Sequence, residues 1–141
     1  MAAVQGFTHT FSQDVAFRDL DGLGHVNNAV YLSYVESARL AYMQEVLGPL
    51  ELDELGIVAD VKISFRSPAA LGETLEVGHR VSRVGETSLV FDFEVRGGDG
   101  RLVAEGSTVH VAFDYGVRRP VPVPEKWRSR IESYEARSLV S

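Results

Sequence analysis

The chain has 141 residues, of which 45% are hydrophobic and 24% charged, the balance of one globular domain with room for a real core. A formal net charge of −6 at pH 7 argues against nucleic acid or an anionic membrane as the main partner, while leaving space for a small basic patch facing a phosphorylated ligand. The absence of cysteine excludes disulfides, thiolate nucleophiles and cysteine metal sites; Met1–Gly6 is short and uncharged, and no run approaches the ~18 apolar residues of a membrane span, so a cytoplasmic protein is the expectation.

In chain order, Phe7, His9, Phe11, Val15 and Phe17 alternate with polar residues and predict a half-buried strand. Asp21-Gly22-Leu23-Gly24-His25-Val26-Asn27-Asn28 follows as a loop. Ala29 to about Leu47 carries apolar residues at helical spacing around much of its circumference, a helix expected to be buried on several sides and stopped by Gly48-Pro49. Everything after it reads as β structure: Ile57 to Phe65, Leu75 to Val81, Leu89 to Val95, and a last strand from about Leu102 to Phe113 with Val103, Val109, Val111 and Phe113 on one side. Val84-Gly85-Glu86 and Gly97-Gly98-Asp99-Gly100 predict hairpin turns. Three prolines in Arg118–Pro124 end regular structure, and the remaining tail (about 118–141) is expected to be a short surface helix or frayed. One strand, one long helix and four antiparallel strands make an α+β domain, residues 1–141, in which a five-stranded sheet curls around the helix.

The loop before the helix concentrates chemistry. Its glycines let the backbone bend and approach a ligand, and the helix behind it presents unpaired N–H groups and a positive dipole end. A carboxylate held there, Asp21, could attack a carbonyl, or activate water against it, while the carbonyl oxygen rests on those N–H groups. The plainer reading is that Asn28 is the N-cap, the glycines are turn residues and Asp21 is a solvated charge. Asp19, two residues before Asp21, reads as structural, through a salt bridge or turn hydrogen bond. Glu36 and Arg39, three apart on the helix, read as a satisfied ion pair. His79 and His110 read as sheet residues, and the four histidines lack a metal spacing.

The stretch from Phe17 to Asn28, followed by Tyr31, Tyr34 and Glu36, resembles the signature of the hot-dog-fold acyl-CoA thioesterases, in particular the 4-hydroxybenzoyl-CoA thioesterase-like family. Its His25-Val26-Asn27-Asn28 piece also resembles plant acyl-carrier-protein thioesterases. The resemblance implies a hot-dog fold and hydrolysis of an acyl-CoA, or acyl-carrier-protein, thioester without a cofactor or metal. It makes Asp21 the nucleophile or general base and the backbone N–H of Asn28 the group polarising the carbonyl. His25 is implicated by the plant pattern, but the asparagine of that pattern two positions earlier is Leu23 here, so its set is incomplete. Glu36 is a secondary candidate, because another branch of these enzymes uses a helix carboxylate. Asn27 is expected to bind substrate or, like the Asn28 side chain, to cap and tie the loop, and Tyr31 and Tyr34 to line the acyl pocket or fill the core; Arg66, Ser67 and Arg83, with Arg96 and Arg101, are the groups available to coenzyme A phosphates. A homodimer or homotetramer with the site at the subunit boundary is also implied. The competing functions are a non-catalytic acyl-CoA-binding module and a hot-dog hydratase, whose motif set is not found.

Overall fold

The computed structural model describes residues 3–140. Its main sheet is five-stranded and antiparallel, built from β1 (His9–Asp14), β2 (Ile57–Phe65), β3 (Thr74–Val84), β4 (Ser88–Arg96) and β5 (Leu102–Val111) in the order β1-β3-β4-β5-β2. α1 (Val30–Leu47) packs against the sheet at β1 and β3. Alternation does what the sequence dictates: Leu75, Val77, His79 and Val81 of β3 and Leu89, Phe91, Phe93 and Val95 of β4 are all buried, with partly exposed neighbours between most of them.

α1 threads two core clusters. Its first half, Tyr31, Tyr34, Val35 and Ala38, packs with Leu75, Val77, Phe93 and Val95. Its second half, Tyr42, Met43, Val46 and Leu47, packs with Leu89, Phe91, Trp127 and Ile131. The helix ends where Gly48 adopts φ +84°, a conformation β-carbon-bearing residues rarely hold, and donates its N–H to Gln44 O. Leu32, Ser33, Glu36 and Ser37 remain exposed, so this helix has one uncovered face.

Four expectations are corrected. The first strand is shorter: Phe17 leaves the ladder, opens a 3-10 turn (Phe17–Asp19) and is 79% exposed. The last strand stops at Val111, because Ala112 turns away to bond Thr87 O and Val121 N–H; Phe113–Asp114 (β6) then pairs with Arg119–Pro120 (β7). The buried side of β5 is Ala104, Thr108 and His110, not Val109 and Val111, since Thr108 and His110 sit opposite Phe91 and Leu89. The tail is α2 (Glu125–Val140), whose Trp127 and Ile131 are 7% and 1% exposed. It belongs to the core: Glu135 accepts from the Tyr42 and Thr8 hydroxyls and the Val81 N–H.

β2 lies at the edge of the sheet and is exposed along nearly its whole length. A bulge at Ala59 breaks the strict alternation, so Val58 and Val61 both face the side of His110 and Thr108. Ile57, Val58, Val61 and Phe65 are 37, 38, 38 and 43% exposed.

Candidate active site

The loop between the 3-10 turn and α1 is shaped by its own backbone. Leu20 bridges Val26, Asp21 donates its N–H to His25 O, and Gly24 donates to Asp21 O in a tight turn that requires its φ of +83°. One carboxylate oxygen of Asp21, Oδ1, accepts the N–H groups of Leu23 (2.8 Å) and His25 (3.4 Å). The other, Oδ2, makes no hydrogen bond among the described residues, and the side chain is exposed in the single chain. The loop is pinned to the segment after β2 by Val26 N–H to Ala69 O and by the His25–Ala70 bridge.

At the helix start the amide accounting is uneven. Asn27 donates its N–H to Asp19 O; its own Oδ1 accepts from Ala29 N–H (3.1 Å) and its carbonyl from Val30 N–H. Of the two asparagines read as caps or loop ties, Asn27 is the one whose side chain accepts an amide at the helix start, while Ala29, next to the first helical residue, has no side chain to cap with. Between these satisfied donors, the N–H of Asn28 has no partner among the described residues. An uncommitted amide at the N-terminal end of an 18-residue helix is a ready donor for a developing negative charge.

Asp19 fixes this arrangement. Its Oδ2 accepts the Ala16 N–H (3.0 Å) and the hydroxyl of Tyr34 (2.6 Å), the turn hydrogen bond and structural role read from the sequence. The Tyr34 hydroxyl holds the Asp19 carboxyl below the usual carboxylate range, while burial and then Asp19 push the Tyr34 phenol up, so the pair is carboxylate and phenol at neutral pH. Neither the clamp nor Phe65, whose ring lies 5.7 Å from that of Tyr31, was singled out from sequence, because both depend on contacts between distant segments.

The structure gathers Asp21, His25, Asn27, Asn28 and Tyr31 around the start of α1, with Arg66 and Ser67 on the segment that borders the loop. Tyr31 is buried, and burial raises its pKa. His25 is exposed and its ring does not pair with Asp21. Arg66 bonds Glu105 (2.9 Å) and Ser67 donates to Leu102 O (2.6 Å). Arg83, paired opposite Val90, lies toward the end of β3 away from Thr74, which pairs with Asp14 ahead of the loop. Glu36 is exposed and forms no ion pair with Arg39. Arg39 instead is 5% exposed, its Nε unpartnered among the described residues and its pKa lowered by burial.

Exposed apolar side chains border the loop: Leu23 (82%), Leu71 (53%), Phe65 (43%) and Leu32 (42%). Among the described residues no three of His, Asp and Glu gather as a metal site. A groove of about 450 Å³ lies at the other end of α1, between Leu47, Leu50, Tyr115 and Trp127, away from this chemistry.

Residues 15–131 match the sequence model of the thioesterase-like superfamily. The chain belongs to that superfamily. A thioesterase from Thermus thermophilus, solved with coenzyme A and Zn, is 41% identical, with a TM-score of 0.85 over 94% of this chain and 97% of that one. The long-chain acyl-CoA thioesterase FadM of Escherichia coli is 24% identical over 80% of this chain and 89% of its own length. The chloroplastic acyl-acyl carrier protein thioesterase ATL3 of Arabidopsis thaliana is 28% identical over 86% of this chain, which spans 66% of it. As a superfamily member the chain is a thioester hydrolase with the hot-dog fold, and its helix is the one such folds wrap in a sheet. No helix among the described residues is long and apolar enough to cross a membrane.

Proposed function

We propose that this hydrolase cleaves acyl-coenzyme A, releasing the free acid and the thiol, with the reaction centred on Asp21 and the Asn28 amide. The observation that carries the reading is the pairing, on one loop, of an unpartnered backbone N–H and a carboxylate oxygen that makes no hydrogen bond. The thioester carbonyl oxygen rests on Asn28 N–H at the positive end of α1, which stabilises the charge that develops as the carbonyl carbon is attacked. Asp21 Oδ2 attacks that carbon, or removes a proton from the water that does; Oδ1, tied to Leu23 and His25, fixes the direction of approach. Thiolate departs readily, so no strong acid is needed, consistent with a His25 ring outside hydrogen-bond reach of Asp21.

The acyl chain leaves the loop along Tyr31, Phe65 and Leu32, and Arg66 serves the phosphates. A second copy completes the site. The support is the unpaired edge of β2 with its exposed Ile57, Val58 and Val61, together with the uncovered face of α1. Pairing two β2 edges across a two-fold axis would satisfy their free backbone groups and cover these side chains. The name of FadM favours an acyl-CoA and that of ATL3 an acyl carrier protein. Thiol release measured on a panel of acyl-CoAs and on acyl-carrier protein tests the reading: turnover of acyl-CoA is expected. Tight acyl-CoA binding with no thiol released would replace it with a binding module. Sedimentation is expected to show a dimer or larger, and a stable, active monomer would contradict the shared site.

A further inference from the structure

We propose that Asp19 and Tyr34 form a positioning clamp that sets the Asn28 amide for turnover, an inference that rests on the Asn28 amide being the carbonyl-binding donor. Neither residue is expected to touch substrate. Asp19 joins three parts of the chain. Its carboxylate Oδ2 holds Ala16 N–H, before the 3-10 turn, and Tyr34 OH, on the second turn of α1. Its main-chain carbonyl accepts Asn27 N–H at 2.9 Å. Asn27 in turn caps Ala29 and Val30, leaving Asn28 as the one unclaimed donor between them.

The position of Asn28 along and around the helix axis therefore depends on where Asp19 sits. Asp19 lies in a single 3-10 turn with no buried residue, which packing alone would leave loose. Tyr34 is the opposite: 4% exposed, in the first core cluster, its ring edge-on to Tyr31 at 5.9 Å. The 2.6 Å bond between them is short and charge-assisted, and it transfers the rigidity of the core to the loop. The same link reaches Asp21, two residues beyond Asp19, whose N–H is tied to His25 O. A buried tyrosine thus positions both the donor and the carboxylate from one side.

Tyr34→Phe removes the hydroxyl and keeps the ring. The expected result is a fall in kcat of about tenfold with KM for acyl-CoA nearly unchanged, because misplacement by a fraction of an ångström affects the reacting geometry more than ground-state binding. Asp19→Ala is expected to lose about a hundredfold in kcat, while Asp19→Asn, which keeps an acceptor oxygen for Ala16 and Tyr34, recovers most of it. The double variant Asp19→Ala with Tyr34→Phe is expected to be no slower than Asp19→Ala alone, as members of one unit are not additive. Amide NMR of Tyr34→Phe is expected to show the Asn27 and Asn28 resonances displaced. If Tyr34→Phe fails to fold, the Asp19→Ala and Asp19→Asn pair decides the point without altering the core. Wild-type kcat in Tyr34→Phe or Asp19→Ala with an unmoved Asn28 resonance overturns the clamp. Asp21→Asn assayed in parallel separates the two claims. Its inactivity beside a fully active Tyr34→Phe overturns the clamp alone, whereas its full activity overturns the proposed reaction, and the amide resonances then decide the clamp.

Discussion

Both ends of α1 use a carboxylate against a buried tyrosine, to opposite effect. At the start, Asp19 takes the Tyr34 hydroxyl and Ala16 N–H and leaves the neighbouring Asn28 amide open. Toward the far end, Glu135 of α2 takes the Tyr42 and Thr8 hydroxyls and the Val81 N–H through one oxygen, and apolar Trp127 and Ile131 close over the core. The first arrangement presents backbone polarity to an exposed loop, and the second consumes it inside the fold. The contrast teaches that the same short charge-assisted bond can hold a site open or seal a core, depending on whether the donors beside it are spent.

The largest expected effect falls at the open end. Asp21→Asn keeps the shape of the side chain and removes its charge, and is expected to lower kcat by about 10²- to 10⁴-fold with melting temperature nearly unchanged, as thiol release and thermal unfolding would report. The sealed end should behave the other way. Trp127→Ala is expected to lower stability by about 3–5 kcal/mol, read by denaturant unfolding, while kcat per folded molecule is preserved. Were Trp127→Ala to leave stability unchanged, α2 would not be part of the core.

A third prediction concerns the histidines between the two ends. Burial, then the Arg39 charge and, for His79, His9, push His79 down to about 3, and burial and Arg39 push His110 down to about 4. In the unfolded chain both return to about 6.5, so below that pH the unfolded chain binds protons that the folded chain does not. Stability is therefore expected to fall as pH drops from about 6.5 toward about 4, by up to about 1.4 kcal/mol per pH unit for each histidine. Equal melting temperatures at pH 7 and pH 5 would contradict it. The smallest effect is at Arg83, toward the end of β3 away from Thr74: Arg83→Ala is expected to leave KM for acyl-CoA unchanged, and a several-fold rise would place it in the site.

The sequence made the architecture legible where periodicity was uninterrupted. α1 and the strands from Ile57 to Val95 lie close to where alternation and helical spacing put them. It failed where a local irregularity overrides period two: the bulge at Ala59 put Val58 on the same side of the sheet as Val61, and the departure of the chain at Ala112 cut the last strand short. Trp127 and Ile131 read as tail because their partners, Tyr42 and Phe91, are far away in sequence. In the site, the loop from Asp21 to Asn28 was legible as a unit, since glycines, a carboxylate and a helix start are local features. Which asparagine caps the helix was not, because Asn27 and Asn28 differ only in which direction their side chains turn. Arg39 was read as paired with Glu36 from spacing, yet the helix rotation that buries Arg39 leaves Glu36 in solvent.

The most direct test follows the Asn28 amide itself while a non-hydrolysable acyl-CoA analogue is titrated into the protein, by amide-resolved NMR. A carbonyl oxygen accepting that N–H is expected to move the Asn28 resonance strongly downfield, further than those of Asn27, Ala29 or Val30, whose donors are already engaged. Saturable binding that shifts other residues and leaves Asn28 where it was would contradict the account.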